Sequence, residues 1–202
     1  MPALYGFGEP EVVASGLEAP WGLAFLPDGD ALVSERDTGR ILRVGRGTEP
    51  RVVATVPGVA PGGEGGLLGL AVSPGFAGDQ LVYAYLSTQG DNRIVRFRLG
   101  GGQLQVLLEG IPRAGIHNGG RIAFGPDGML YAGTGDAAER GNAQDPASLG
   151  GKVLRLRPDG GSRTTTPTRG RRCGPSGTAT CRGWPGTPRA AVRHRVRAEP
   201  GR

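Results

Sequence analysis

The sequence predicts an all-β fold, a β-propeller with about three blades present. Three observations predict it: a phrase repeated along the chain, strands with period-two alternation, and no convincing helical periodicity. The repeated stretches are WGLAFLPDGDALVSERDTGRILRVG from Trp21, LGLAVSPGFAGDQLVYAYLSTQGDNRIVRFRLG from Leu68, and GRIAFGPDGMLYAGTGD, continued by GGKVLRLRPDG, from Gly120. Setting Gly22, Gly69 and Arg121 in register gives spacings of 47 and 52 residues. Repeats of this length with four short antiparallel strands are propeller blades, and a blade buries its faces only against its neighbours. A β-sandwich would also space its strands regularly, but it gives no reason for a repeated GLAF-x-PDG phrase.

Each repeat has the same parts in the same order. A short apolar strand (Leu23–Phe25, Leu70–Val72, Ile122–Phe124) runs into a Pro-containing turn, PDG in the first and third copies, where Pro presets φ and Gly accepts positive φ. A second strand follows (Ala31–Ser34, Leu81–Tyr85, Leu130–Ala132), then a loop rich in Asp, Gly and Asn. The unit closes on an alternating strand, Ile41–Val44, Ile94–Leu99 or Val153–Leu156, whose arginines predict one wet face and one buried face. Outer fourth strands are expected at Arg51–Val56 and Leu104–Leu108.

Composition separates the chain into two parts. Residues 1–160 hold 14 Lys+Arg against 17 Asp+Glu, whereas residues 161–202 hold 10 Arg against the single acid Glu199. The net charge of +6 is therefore a property of the tail and gives no reason to expect a basic surface on the propeller. The tail contains no Leu, Ile, Phe, Tyr or Met, so it cannot offset the entropy of ordering its backbone and is expected to be disordered. Its arginines lack aromatic interleaving, which argues against a nucleic-acid partner. Cys173 and Cys181 form no metal or redox pattern. The start, MPALYGFGEPEVV, has no basic lead followed by an apolar run, so neither a signal peptide nor a membrane span is expected.

In a propeller the loops leading into successive innermost strands gather around the axis, so their polar residues converge. Those segments are LEAPW, GGEGGLL and GIHNGG, and they bring Glu64 and His117 to nearly equivalent positions. His117 is the only histidine of the repeat region. It is read either as a structural residue or as a general base, a role suited to an imidazole, which titrates near neutrality. Asp136, ending YAGTGD, either orients that ring or caps a turn. Glu64 either binds a hydroxyl or cation or is a solvated loop acid. Asn118 is a further candidate for substrate or cofactor binding. No metal ligand is assigned.

EGGLLGLAVSPGF, DNRIVRFRL, GIHNGGRIAFGPDGMLYAGTGD and LGGKVLRLRPDG, in this order over roughly residues 11–160, resemble consecutive blades of the quinoprotein glucose/sorbosone dehydrogenases, which include aldose sugar dehydrogenases. The resemblance implies a six-bladed propeller, pyrroloquinoline quinone (PQQ) over the axis with calcium, and oxidation of an aldose at C1 to the lactone with a separate electron acceptor. It implies that His117 takes the C1 hydroxyl proton while hydride passes to the quinone, that Asp136 positions the base, and that Glu64 lies at the sugar and cofactor mouth. Ile116 stands where the glucose-specific branch is expected to carry Asp, which places this chain nearer the broad-specificity aldose branch. A periplasmic or secreted location is also implied.

After KVLRLRPDGG the resemblance stops where the family continues into a blade led by a GHRN-containing loop. Permitted codons for Cys173–Pro188, read one phase earlier, spell WSFGHRNVQGLAWDP, and the last residues yield LFATEFGPNRA in the remaining phase. The tail therefore reads as a frameshifted continuation, which would leave the chain short of later cofactor ligands and inactive as written. Two other classes of function stay open at this stage. One is a lactonase-type propeller hydrolase with acidic and Asn ligands on the axis, and the other is a non-catalytic propeller fragment that binds a partner.

Overall fold

The computed structural model describes residues 9–160, and the tail assigned to residues 161–202 lies outside them. The first sheet comprises β1 (Pro20–Phe25), β2 (Ala31–Glu35), β3 (Arg40–Val44) and β4 (Arg51–Thr55), each hydrogen-bonded to the next. The second comprises β5 (Leu67–Val72), β6 (Leu81–Ser87), β7 (Asn92–Arg98) and β8 (Gln105–Ile111) in the same sequential order. The third contains β9 (Gly119–Phe124), β10 (Leu130–Thr134) and β11 (Val153–Leu156). All pairings are antiparallel, so each sheet is a propeller-blade meander. Two single helical turns, α1 (Phe76–Asp79) and α2 (Arg140–Gln144), interrupt the loops; they are too short to leave a periodic signal.

The middle sheet is buried on both sides. In β6, Val82, Ala84 and Leu86 enter the core shared with the first sheet, while Tyr83 and Tyr85 enter the core shared with the third. For β7 this corrects the expectation of one wet face on the closing strands, which β11 retains, with Val153 exposed and Leu154 and Leu156 buried. In β7, Val95 and Phe97 face one core and Ile94 the other, and the arginines lie at the margins of both faces. Arg96 reaches out of its blade to donate to the Pro158 carbonyl at 2.7 Å. Arg43 pairs with Asp28 and Asp30 at 2.6 Å, and Arg155 pairs with Asp127 at 2.9 Å. The Asp of the PDG phrase therefore anchors the closing-strand Arg of its own blade as well as shaping the turn.

The innermost strands β1, β5 and β9 each carry one extra residue near their start, seen as register slips between Pro20 and Leu23, between Leu67 and Leu70, and opposite Gly133 and Thr134. Past these bulges the backbones approach closely. A Cβ on Gly22 would lie 2.5 Å from the Leu68 carbonyl oxygen, and one on Gly69 would strike the Gly120 carbonyl oxygen. The fully buried Ser34 hydroxyl bridges the first pair of strands, accepting from Gly22 N–H at 2.8 Å and donating to the Leu68 carbonyl at 2.6 Å.

Glu35, at the end of β2, is fully buried. Burial pushes its carboxyl pKa up, but hydrogen bonds from Glu18 N–H, Thr38 and Arg40 outweigh that and hold it below the usual carboxylate range.

Two outcomes are expected for stability. Gly69→Ala should destabilise the chain by about 1–3 kcal/mol, because the Gly120 backbone cannot rotate away from the added methyl; urea denaturation reads this out, and an unchanged midpoint would refute the close approach. Because Glu35 has a folded-state pKa below its unfolded value, its contribution is present above the unfolded pKa and is lost as pH falls through the folded one. Glu35→Gln should therefore lower stability at neutral pH and flatten its loss on acidification, as followed by thermal melts across the acid range.

Candidate functional site

Three loops on one end of the stacked sheets build the site. The segment before β5 carries Glu64, the segment before β9 carries His117 and Asn118, and the loop after β10 carries Asp136. The first two loops are joined twice. Glu64 N–H donates to the Gly115 carbonyl at 2.8 Å, and His117 N–H donates to Glu64 Oε2 at 2.6 Å. His117 Nδ1 lies 3.0 Å from Asp136 Oδ1, although 19 residues separate them in sequence. The imidazole is 56% exposed and the Asp136 side chain 24%, so the dyad opens to solvent with its carboxylate on the protected side.

Backbone geometry holds this arrangement. His117 has φ 59°, and Ala137 and Ala138 follow Asp136 at 54° and 61°, all in the left-handed region that costs a non-glycine residue about 1–3 kcal/mol. The cost is offset locally: Ala137 N–H donates to the His117 carbonyl at 3.1 Å, and Ala138 N–H donates to Asp136 Oδ1 at 3.1 Å. Gly135 fits against the His117 carbonyl oxygen, which a Cβ would strike. Lys152 secures the far end of the loop, donating to the Asn142 and Gly150 carbonyls at 2.6 and 2.8 Å. Sequence reading missed Lys152, because nothing in GGKV marks a lysine aimed at backbone carbonyls.

Chemically, such a dyad can accept a proton. A carboxylate only accepts hydrogen bonds, so the contact with Asp136 favours the ring tautomer that carries its proton on Nδ1. One oxygen of Glu64 is engaged by the His117 backbone, so this acid fixes the His117 loop. Asn118 departs from its expected place. It is 2% exposed; its side chain accepts from Asn92 at 3.1 Å and from Ala114 N–H at 3.1 Å, and donates to the Ala114 carbonyl at 2.8 Å. Its own carbonyl accepts from the Tyr85 hydroxyl at 2.9 Å. This amide shapes the loop from within. Among the described residues no group of three or more His, Cys, Asp or Glu could hold a metal ion, and no helix is long and apolar enough to cross a membrane.

Fold and site together define a propeller whose axial loops carry an exposed imidazole–carboxylate dyad. The glucose/sorbosone dehydrogenase family matches residues 17–176, and the chain belongs to that family. It is similar to the PQQ-bound aldose sugar dehydrogenase of Streptomyces coelicolor, with 54% identity and a TM-score of 0.71, covering 74% of this chain and 48% of that one. It is 31% identical to the aldose sugar dehydrogenase YliI of Escherichia coli over 74% of this chain and 44% of the relative. Quinoprotein glucose dehydrogenase B of Acinetobacter calcoaceticus is 29% identical over 74% of this chain and 39% of its own length. The chain thus spans about half the length of the relatives it matches, in keeping with three blades of a six-bladed ring.

Asn118→Ala should cost about 1–3 kcal/mol of stability by leaving the Ala114 N–H without its partner and removing one of the two acceptors of the Asn92 amide. Chemical denaturation measures this, and a neutral result would return Asn118 to the list of free ligand-binding groups.

Proposed function

We propose that this chain carries the first three blades of a PQQ-dependent sugar dehydrogenase that oxidises an aldose at C1 to the lactone. The observation that carries the reading is the His117 Nδ1–Asp136 contact at 3.0 Å, with Glu64 bonded to the backbone of the same histidine. In this reading His117 Nε2 accepts the proton of the sugar C1 hydroxyl, and Asp136 holds the ring tautomer and stabilises the imidazolium that forms. Glu64 keeps the His117 loop in its left-handed conformation and presents its second oxygen to the sugar. Asn118 acts through that loop. PQQ is present in the S. coelicolor relative and, when bound, would supply the two-electron acceptor. Among the described residues no group of three or more His, Cys, Asp or Glu could hold calcium.

The same proposal assigns residues 161–202 to a continuation read out of frame, with the remaining cofactor ligands lost, and a periplasmic or secreted location for the intact enzyme. Broad aldose specificity is favoured by Ile116, an apolar side chain 48% exposed beside His117.

The test is reconstitution with PQQ, calcium, an aldose and a dye acceptor. The 202-residue chain should give no turnover above the blank, whereas a chain restored in frame after Gly160 should be active. In the restored enzyme His117→Ala should lower kcat by about 10²–10⁴-fold, the usual range for a lost general base. Turnover by the 202-residue chain, or full activity of the His117 variant, would overturn the proposal. Reading the DNA around the codons for Gly160–Ser162 tests the frame directly.

A further inference from the structure

We infer that Ser87 and Asn92, a fully buried pair on the middle sheet, are positioning residues that set Glu64 and His117 against one another. Their catalytic meaning rests on the dehydrogenase reading above, while the positioning itself is measurable without turnover. The two residues are Cα partners across the end of the β6–β7 hairpin, and each reaches a different loop of the site.

Ser87 holds the Glu64 loop through its backbone. Its N–H donates to the Gly66 carbonyl and its carbonyl accepts from Ala60 N–H, both at 2.8 Å, so the segment carrying Glu64 is tied down on either side. The fit is close, since a Cβ on Gly65 would lie 2.9 Å from the Ser87 hydroxyl oxygen. Asn92 holds the His117 loop through its side chain. Its amide donates to the Pro112 carbonyl at 2.7 Å and to Asn118 Oδ1 at 3.1 Å, again one contact on either side of the histidine.

One hydrogen bond links the two halves: the Ser87 hydroxyl donates to Asn92 Oδ1 at 2.6 Å. With it the Asn92 amide uses its oxygen and both of its N–H donors. Only one orientation of that amide is allowed. A flipped amide would set its oxygen against the Pro112 carbonyl and against Asn118 Oδ1, which already accepts from Ala114 N–H. Tyr85, also fully buried, extends the network by donating to the Asn118 carbonyl at 2.9 Å, one residue past His117. A buried network with its donors and acceptors matched rigidifies what it joins, and unpairing one member costs more than the net worth of a single bond. The Glu64–His117 contact at 2.6 Å thus closes a circuit that begins and ends on one hairpin, with Ser87 under the acid and Asn92 under the histidine loop. Neither residue touches substrate in this account; both act through the loops they hold.

The test is NMR of the 202-residue chain, following the ring nitrogens and the backbone amide of His117, with His117→Gln separating its signals from those of His194. Asn92→Asp replaces both donors by an acceptor facing acceptors. It should speed exchange of the His117 amide about tenfold, the effect of losing roughly one hydrogen bond, and move the ring signals toward those of Asp136→Asn. Ser87→Ala keeps the backbone bonds to the Glu64 loop and should act in the same direction; it decides the matter should the buried carboxylate of Asn92→Asp unfold the chain. Val95→Ala, in the core shared with the first sheet, should lower thermal stability yet leave the His117 signals in place. Unmoved His117 signals in the network variants, or equal movement in Val95→Ala, would overturn the inference. A parent chain whose ring lacks the Nδ1–H tautomer would instead strike the dyad and the dehydrogenase reading, leaving amide exchange to decide the positioning.

Discussion

Backbone-to-backbone contact between neighbouring innermost strands is the constraint on which the rest depends. Gly22 lies against the Leu68 carbonyl and Gly69 against the Gly120 carbonyl, with no room for a Cβ at either place. Such contact is open only to a strand that is short of side chain at that point and bent by a bulge, and each innermost strand carries one. The sheets fan outward from this seam, and alternate residues of the middle sheet fill the two wedges between blades. Because the seam is narrow, the loops entering consecutive strands come within hydrogen-bonding distance of each other.

That proximity makes the site a product of two blades. Glu64 belongs to one and His117 to the next, and the bond between them joins a carboxylate to the backbone N–H of a left-handed residue. Asp136 arrives from the far end of β10, carried on a loop that spends two further left-handed residues to turn its carboxylate back toward the ring. Conformational strain concentrated in so few residues is characteristic of places where geometry serves chemistry. The supporting groups, Lys152 beneath the loop and Asn118 inside it, touch backbone carbonyls and amides and leave the outward surface to His117.

Much of the fold was legible because it is periodic. The GLAF-x-PDG phrase marks the innermost strands, and β2, β3, β6, β7, β10 and β11 fall where alternation puts them, within a residue or two at their ends. The meeting of Glu64 with the His117 loop followed from topology, since equivalent loops of a propeller must meet; for Asp136 ring contact and turn capping were both open, and it makes both. What escaped was contact chemistry between residues distant in sequence. The pairing of Asp127 with Arg155 spans 28 positions. Asn118 was a candidate for substrate or cofactor binding, but its side chain is buried and bonded within its own loop. The wet face assigned to β3 and β7 failed because arginine stems cover a sheet margin while their heads reach acids or carbonyls beyond it.

The most direct test of this account is amide hydrogen exchange at His117 in the isolated chain. If adjacent blades bring their loops together as described, the His117 N–H should exchange slowly in the parent chain, at least tenfold more slowly than in Glu64→Ala. Exchange at the rate of a free exposed loop in both proteins would mean that the two blades do not meet at this point, and the site built on their meeting would fall with it.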